Sequence, residues 1–246
     1  MYKRFLASES EIKYNGANMV GAFAIFVYIL SVLWIGVFAL NNDLRKEMII
    51  LSTTAFFLAP IIVTVKGGDA AMVAERFAGV HLLDLWFAFV VAGLAGSLYH
   101  VVFGKHYHRL PKIKQAKNDE ALVQIWLIRL FIGALVFLWG VVFCAVAFNL
   151  TPAPAALATG VVMAIYIIAH RHDLLVDVLM SGLITGLVAF IAGSIAILGS
   201  TQGFSSSLIA SHGYLWNVPL DLVTWSAAFG LALGPMYEYI RRLTVK

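Results

Sequence analysis

His81-Leu82-Leu83-Asp84-Leu85-Trp86-Phe87-Ala88-Phe89-Val90-Val91-Ala92-Gly93-Leu94-Ala95-Gly96-Ser97-Leu98-Tyr99-His100 is a run of apolar residues closed by a histidine at each end. Its only carboxylate is Asp84, three residues from the start. About 20 mainly apolar residues are what a helix needs to cross the hydrocarbon core of a bilayer. Backbone N–H and C=O groups must be satisfied within the segment there, so such a run reads as a membrane-spanning helix.

Working outward, comparable runs occupy 19–40, 48–65, 122–148, 154–169, 174–198 and 219–240. With 82–103 they predict an all-α integral membrane protein of seven transmembrane helices. The fifth run is the shortest and is set off from the fourth by Thr151-Pro152-Ala153-Pro154, since proline removes a donor and stops helix continuation. Composition agrees. The 246 residues are 61% hydrophobic and 12% charged, with a mean hydropathy of +0.90. Soluble domains carry about twice that share of charge. The polar segment 1–18 lacks the short apolar core and small-residue cleavage site of a signal peptide, so the first span is expected in the mature protein.

The net charge of +4 does not point to a nucleic-acid partner, because the cations lie in loops beside apolar runs. Seven spans place Arg45, Lys46, Lys105, Arg109, Lys112, Lys114, Lys117, Arg171, Arg241, Arg242 and Lys246 on one side. Lys3, Arg4, Lys13, Lys66 and Arg76 fall on the other, and Arg129 within a span. The positive-inside rule then predicts an external N-terminus and a cytoplasmic C-terminus in a multi-pass protein of the cell membrane. The Gly/Ser-rich stretch 200–217 reads as an external loop, with Tyr214 and Trp216 as interfacial anchors. The single cysteine, Cys144, permits no disulfide within the chain and no thiolate metal site.

The opening stretch has a counterpart near the C-terminus. His81-Leu-Leu-Asp84 leads to Gly93 and then Tyr99-His100; Val218-Pro219-Leu-Asp221 leads to Gly230 and then Tyr237-Glu238. The acid-to-glycine spacing is nine residues in both, and one single-residue gap aligns the remainder. Upstream, Asp43-Leu44, Glu47 and Ser52 match Asp173-Leu174, Asp177 and Ser181. The expectation is one transmembrane domain with a 3+1+3 parallel internal repeat: 19–104, a linker helix over 120–150, and 154–242.

Ionisable groups inside spans are costly and mark function or pairing. Asp84 and Asp221 stand at the outer ends of spans three and seven, where the repeat would face them across its axis. Two carboxylates in a low-dielectric site favour a protonated acid beside an ionised partner. As plain alternatives, both also suit helix N-termini. A second set gathers at the cytoplasmic ends: Glu47, His100, Asp177 and Glu238, with His170, His172 and Asp173 close by. Its spacing matches no recognised metal-ligand motif, so neither metal nor cofactor is expected. Arg129, two turns into span four, is expected to pair with Asp177 or Glu238, to bind a lipid phosphate, or to snorkel. Gly182/Gly186 and Gly230/Gly234 are small-residue steps for close helix packing, and Pro60 and Pro235 predict kinks.

The entrance Pro219-Leu220-Asp221-Leu222, its partner Leu82-Leu83-Asp84-Leu85 and the paired three-span units resemble the lycopene cyclase domain family of small membrane proteins. Each entrance here has one acid where that family's motif has two. The resemblance implies an intramolecular lyase or isomerase that cyclises the ends of a linear carotenoid by protonating a terminal double bond. It implies Asp221 as the acid, Asp84 as its counterpart, and Trp86, Phe89, Trp225 and Phe229 as substrate-binding rings. The implied partner is a membrane lipid, isoprenoid or carotenoid, with a homo-oligomer as a further possibility. Two other classes remain open: a small 3+1+3 transporter or channel, and a non-catalytic subunit of a membrane complex. A retinal protein is excluded, since no lysine lies between Val218 and Tyr239 to form a Schiff base.

Overall fold

The computed structural model describes residues 21–64, 81–104, 107–109, 119–200, 203–206, 208–209, 213–241 and 243–245. The polar N-terminal segment, Lys66 and Arg76, and the basic residues Lys105, Lys112, Lys114 and Lys117 lie outside them. The described chain is nearly all helical. Its helices are α1 (Ala22–Leu40), α2 (Arg45–Thr64), α3 (Leu82–Phe103), α4 (Asp119–Ala147), α5 (Pro152–His170), α6 (Leu175–Leu198), α7 (Leu220–Leu233) and α8 (Met236–Arg241). A 3₁₀ turn, His172–Leu174, joins α5 to α6. Two short antiparallel pairs complete the elements: β1 (Tyr107–Arg109) with β4 (Leu243–Val245), and β2 (Tyr214–Leu215) with β3 (Val218–Pro219).

Among the described residues, five helices are long and apolar enough to cross a membrane: Ala22–Leu40, Leu82–Phe103, Ile128–Ala147, Pro152–His170 and the unit His172–Leu198. The second and seventh expected spans are also helical. Helix α2 opens on Arg45, Lys46 and Glu47 and continues through Pro60. The seventh is divided in two: α7 stops at Leu233, Gly234-Pro235 forms a turn, and α8 restarts at Met236. A proline cannot donate to the carbonyl four residues back, and its ring crowds that carbonyl.

Helix α3 is the central element, with 72% of its spanning window buried. It contacts α1, α2, α6 and α7. Its Gly93, Ala95, Gly96 and Ser97 leave room for close neighbours. Helix α7 packs on α5 and α6, α1 closes against α6, and α4 lies against both α2 and α5. The outer surface carries large apolar side chains on several helices, including Ile35, Ile132, Val162, Leu183 and Ile191. The interior holds Glu47, Asp84, His100, Asp177, Asp221 and Glu238, all buried. Apolar outside and ionisable inside is the arrangement a lipid solvent selects.

Loop chemistry sets several helix ends. Arg45 reaches back over the C-terminus of α1 and donates to the carbonyls of Phe38 and Ala39, each at 2.8 Å. Those carbonyls have no partner further along α1, so the guanidinium satisfies them. Gly104 ends α3 at φ 59°, a left-handed value that costs glycine little. The β2–β3 hairpin turns through Trp216 and Asn217 (φ 50° and 66°) and delivers the chain directly into α7. Trp216 is exposed on that turn.

Candidate functional site

Three helix ends bring three of the expected cytoplasmic-side residues together. His100 comes from the last turn of α3, Asp177 from the first turn of α6 and Glu238 from α8. They are 3%, 2% and 0% exposed, respectively. One side-chain donor atom from each lies within 4.8 Å of the others. His100 Nε2 and Glu238 Oε1 share a hydrogen bond of 2.5 Å. Asp177 Oδ1 accepts from the Ser181 hydroxyl at 3.2 Å. Its other oxygen, Oδ2, is buried with no hydrogen-bond partner among the described residues.

Glu47 lies against the same helix as His100. A Cβ added at Gly96, one turn before His100, would stand 3.0 Å from Glu47 Oε1. The Gly96 gap is therefore what admits this buried carboxylate beside α3. Arg129 is exposed on α4. The guanidinium that reaches Glu238 is that of Arg171, which donates to the Glu238 carbonyl oxygen at 3.1 Å and is paired with Asp173.

Arg171 connects this buried set to a groove of about 840 Å³ between α4, α5 and α8. Arg129, Tyr166, His170, Arg171 and Tyr239 line its polar part, and Val136, Val162, Met163 and Ile240 are among its apolar walls. The Tyr166 and His170 rings, one turn apart on α5, lie 4.3 Å apart and tilted by 43°, and Tyr166 meets Tyr239 edge-on. Of the groove residues, Tyr166 and Tyr239 escaped the sequence reading. The Tyr166/His170 spacing of four and the position of Tyr239 beside Glu238 were available signals, but only packing turns them to one side.

The outer-end acids have different surroundings. Asp84 is held at the start of α3, where Oδ2 accepts the backbone N–H of His81 at 3.2 Å and Oδ1 accepts the Ser206 hydroxyl at 2.7 Å. Ser206, in the Gly/Ser-rich stretch, had no distinguishing signal in the sequence. Asp221 is buried in the first turn of α7, just after β3. The four aromatic candidates form two pairs. Trp86 stacks on Phe89 at 4.8 Å and donates its indole N–H to Ser31. Trp225 stacks with Phe229 at 6.0 Å, and both are buried. The void beside Phe229, bounded by Leu58, Phe137 and Leu233, is only about 10 Å³. Neither Asp84 nor Asp221 lines that void or the large groove.

The fold and site are those of a helical membrane protein with a buried His/Asp/Glu set at one end of the bundle. Comparison of the chain with models of protein families, with curated proteins and with solved structures finds no match.

Proposed function

We propose that this chain is a seven-span protein of the cell membrane that takes an isoprenoid or acyl lipid with a phosphate headgroup from the bilayer and holds it for modification. The observation that carries the reading is the groove of about 840 Å³. Its volume falls in the range of ligand pockets, which are mostly apolar with a few placed polar groups. Two arginines and a histidine are among its lining residues, suited to an anionic headgroup, and its aliphatic walls suit an apolar chain.

The internal repeat supports the seven-span count. Gly93 of α3 packs against Ser52 of α2, and Gly230 of α7 packs against Ser181 of α6. These are the same glycines and serines that align between the two halves of the sequence. On this reading α4 is the linker helix and α8 the cytoplasmic end of span seven. Carotenoid cyclisation at Asp221 and Asp84, which the family resemblance implies, is the less supported proposal, because the groove lies elsewhere and Asp84 is engaged as a helix cap.

Native mass spectrometry of detergent-purified protein tests the lipid. Polyprenyl phosphate, phosphatidylglycerol and lycopene are offered separately. Retention of one of the two phosphate lipids is expected and identifies the chain type. Arg129→Gln should weaken retention about tenfold, in line with loss of a charge-assisted contact. Val136→Trp should block the groove. Equal retention by wild type and both variants, or preference for uncharged lycopene, would overturn the proposal.

A further inference from the structure

We infer that His100, Asp177 and Glu238 form a binding site for one divalent first-row transition-metal ion, with zinc the representative case. This inference stands apart from the lipid reading, since it uses none of the groove's lining residues.

The three donors come from three helices, so the bundle itself fixes their convergence. All are at least nine-tenths buried, and one imidazole nitrogen and two carboxylate oxygens lie within 4.8 Å of one another. Zinc–ligand bonds of about 2.0–2.2 Å place tetrahedral ligand atoms about 3.3–3.6 Å apart, inside that span. Coordination would widen the His100 Nε2–Glu238 Oε1 separation from 2.5 Å, or recruit the second carboxylate oxygen.

The independent observation is Asp177 Oδ2. It is buried, and no described group donates a hydrogen bond to it. Buried polar atoms are nearly always satisfied, and buried charges are paired or coordinate metals. Two carboxylates and a neutral imidazole carry two negative charges, which a divalent cation cancels. Among the described residues, the Arg171 guanidinium is directed to Asp173 and to the Glu238 carbonyl oxygen. One nitrogen with two oxygens favours zinc, manganese or iron(II) over magnesium and calcium, whose sites are built from oxygen. Three protein ligands leave a fourth position open, as catalytic zinc sites do. Glu47 of α2, beside Gly96 of α3, stands outside the three donors.

The experiment uses the full chain, purified without a histidine tag, stripped with chelator and dialysed against zinc, with bound metal measured by atomic emission. Wild type should hold about one zinc per chain and unfold at a higher temperature with zinc than without, as binding to the native state requires. His100→Gln, Asp177→Asn and Glu238→Gln should each weaken zinc binding at least tenfold, while Glu47→Gln retains the stoichiometry. Cobalt(II) in wild type should give a visible absorption band that His100→Gln loses. Wild type holding under about a tenth of an equivalent, with no thermal shift, overturns the site and needs no variant to fold. So does zinc bound equally by wild type and all three ligand variants, which would assign it to exposed histidines. Lipid retention measured on the same samples separates the two proposals: zinc lost with lipid kept, or the reverse, removes one and leaves the other.

Discussion

Asp84 illustrates how one residue supports two chemistries in sequence and one in geometry. A carboxylate in the first turn of a helix interacts favourably with the helix dipole, and an acidic residue three positions into a helix reaches back to the cap N–H. Asp84 does this, and it also accepts the Ser206 hydroxyl, so it ties a loop to the start of α3. Asp84→Ala should destabilise the protein by about 1–3 kcal/mol, the range for leaving buried hydrogen-bonding groups without their partner. Asp84→Asn keeps an accepting oxygen and should lose roughly half as much. Thermal unfolding in detergent measures both. An alanine variant as stable as wild type would remove the capping role. Asp177 is the contrasting residue: one of its oxygens has a donor in Ser181, and the other is buried with no hydrogen-bond donor among the described residues.

Helix pairs depend on small residues at the points of closest approach. At Gly230 of α7, an added Cβ would collide with the Ser181 carbonyl and stand 2.7 Å from Gly182 Cα. Backbone atoms of α6 cannot rotate away as a side-chain tip can, so the two helices would have to separate. Gly230→Ala should therefore cost about 1–3 kcal/mol, as overpacking does. Gly36, on α1, has nothing within 4 Å of its added Cβ, and Gly36→Ala should be neutral or slightly stabilising. Unfolding temperatures of the two variants, measured side by side, make the comparison. The break at Gly234-Pro235 works at the same scale. It divides α7 from α8, the short helix on which Glu238 meets His100.

The described helices present aliphatic side chains outward and bury Glu47, Asp84, Asp177, Asp221 and Glu238, the reverse of a water-soluble domain, with Asp43 and Asp173 exposed between helices. The proposed orientation makes a direct prediction. In a Cys144→Ala background, Asn42→Cys and His172→Cys should react with an impermeant maleimide only after the membrane is opened. Tyr214→Cys, on the opposite side, should react in intact cells. The reversed pattern would invert the topology, and labelling of all three in intact cells would end the seven-span reading. Much of this scale was legible in the sequence. The apolar runs at 19–40, 82–103, 122–148, 154–169 and 174–198 coincide with the five helices that are long and apolar enough to cross a membrane. Boundaries agree because desolvating a backbone leaves helix as the economical choice wherever a run is long enough.

The site was legible only in part. Glu47, His100, Asp177 and Glu238 stand out in the sequence because ionisable groups are rare in apolar runs. That His100, Asp177 and Glu238 meet, while Arg129 faces a groove, depends on rotations of α3, α4, α6 and α8 about their own axes. A local pattern of apolar residues constrains those rotations weakly when a helix is apolar on every side. The sequence by itself determined the helices and their lipid environment, because burial of each backbone is a local matter. Tertiary packing alone decided which carboxylates share a site, because glycine-sized gaps at Gly96 and Gly230 and the break at Pro235 set where the helices touch.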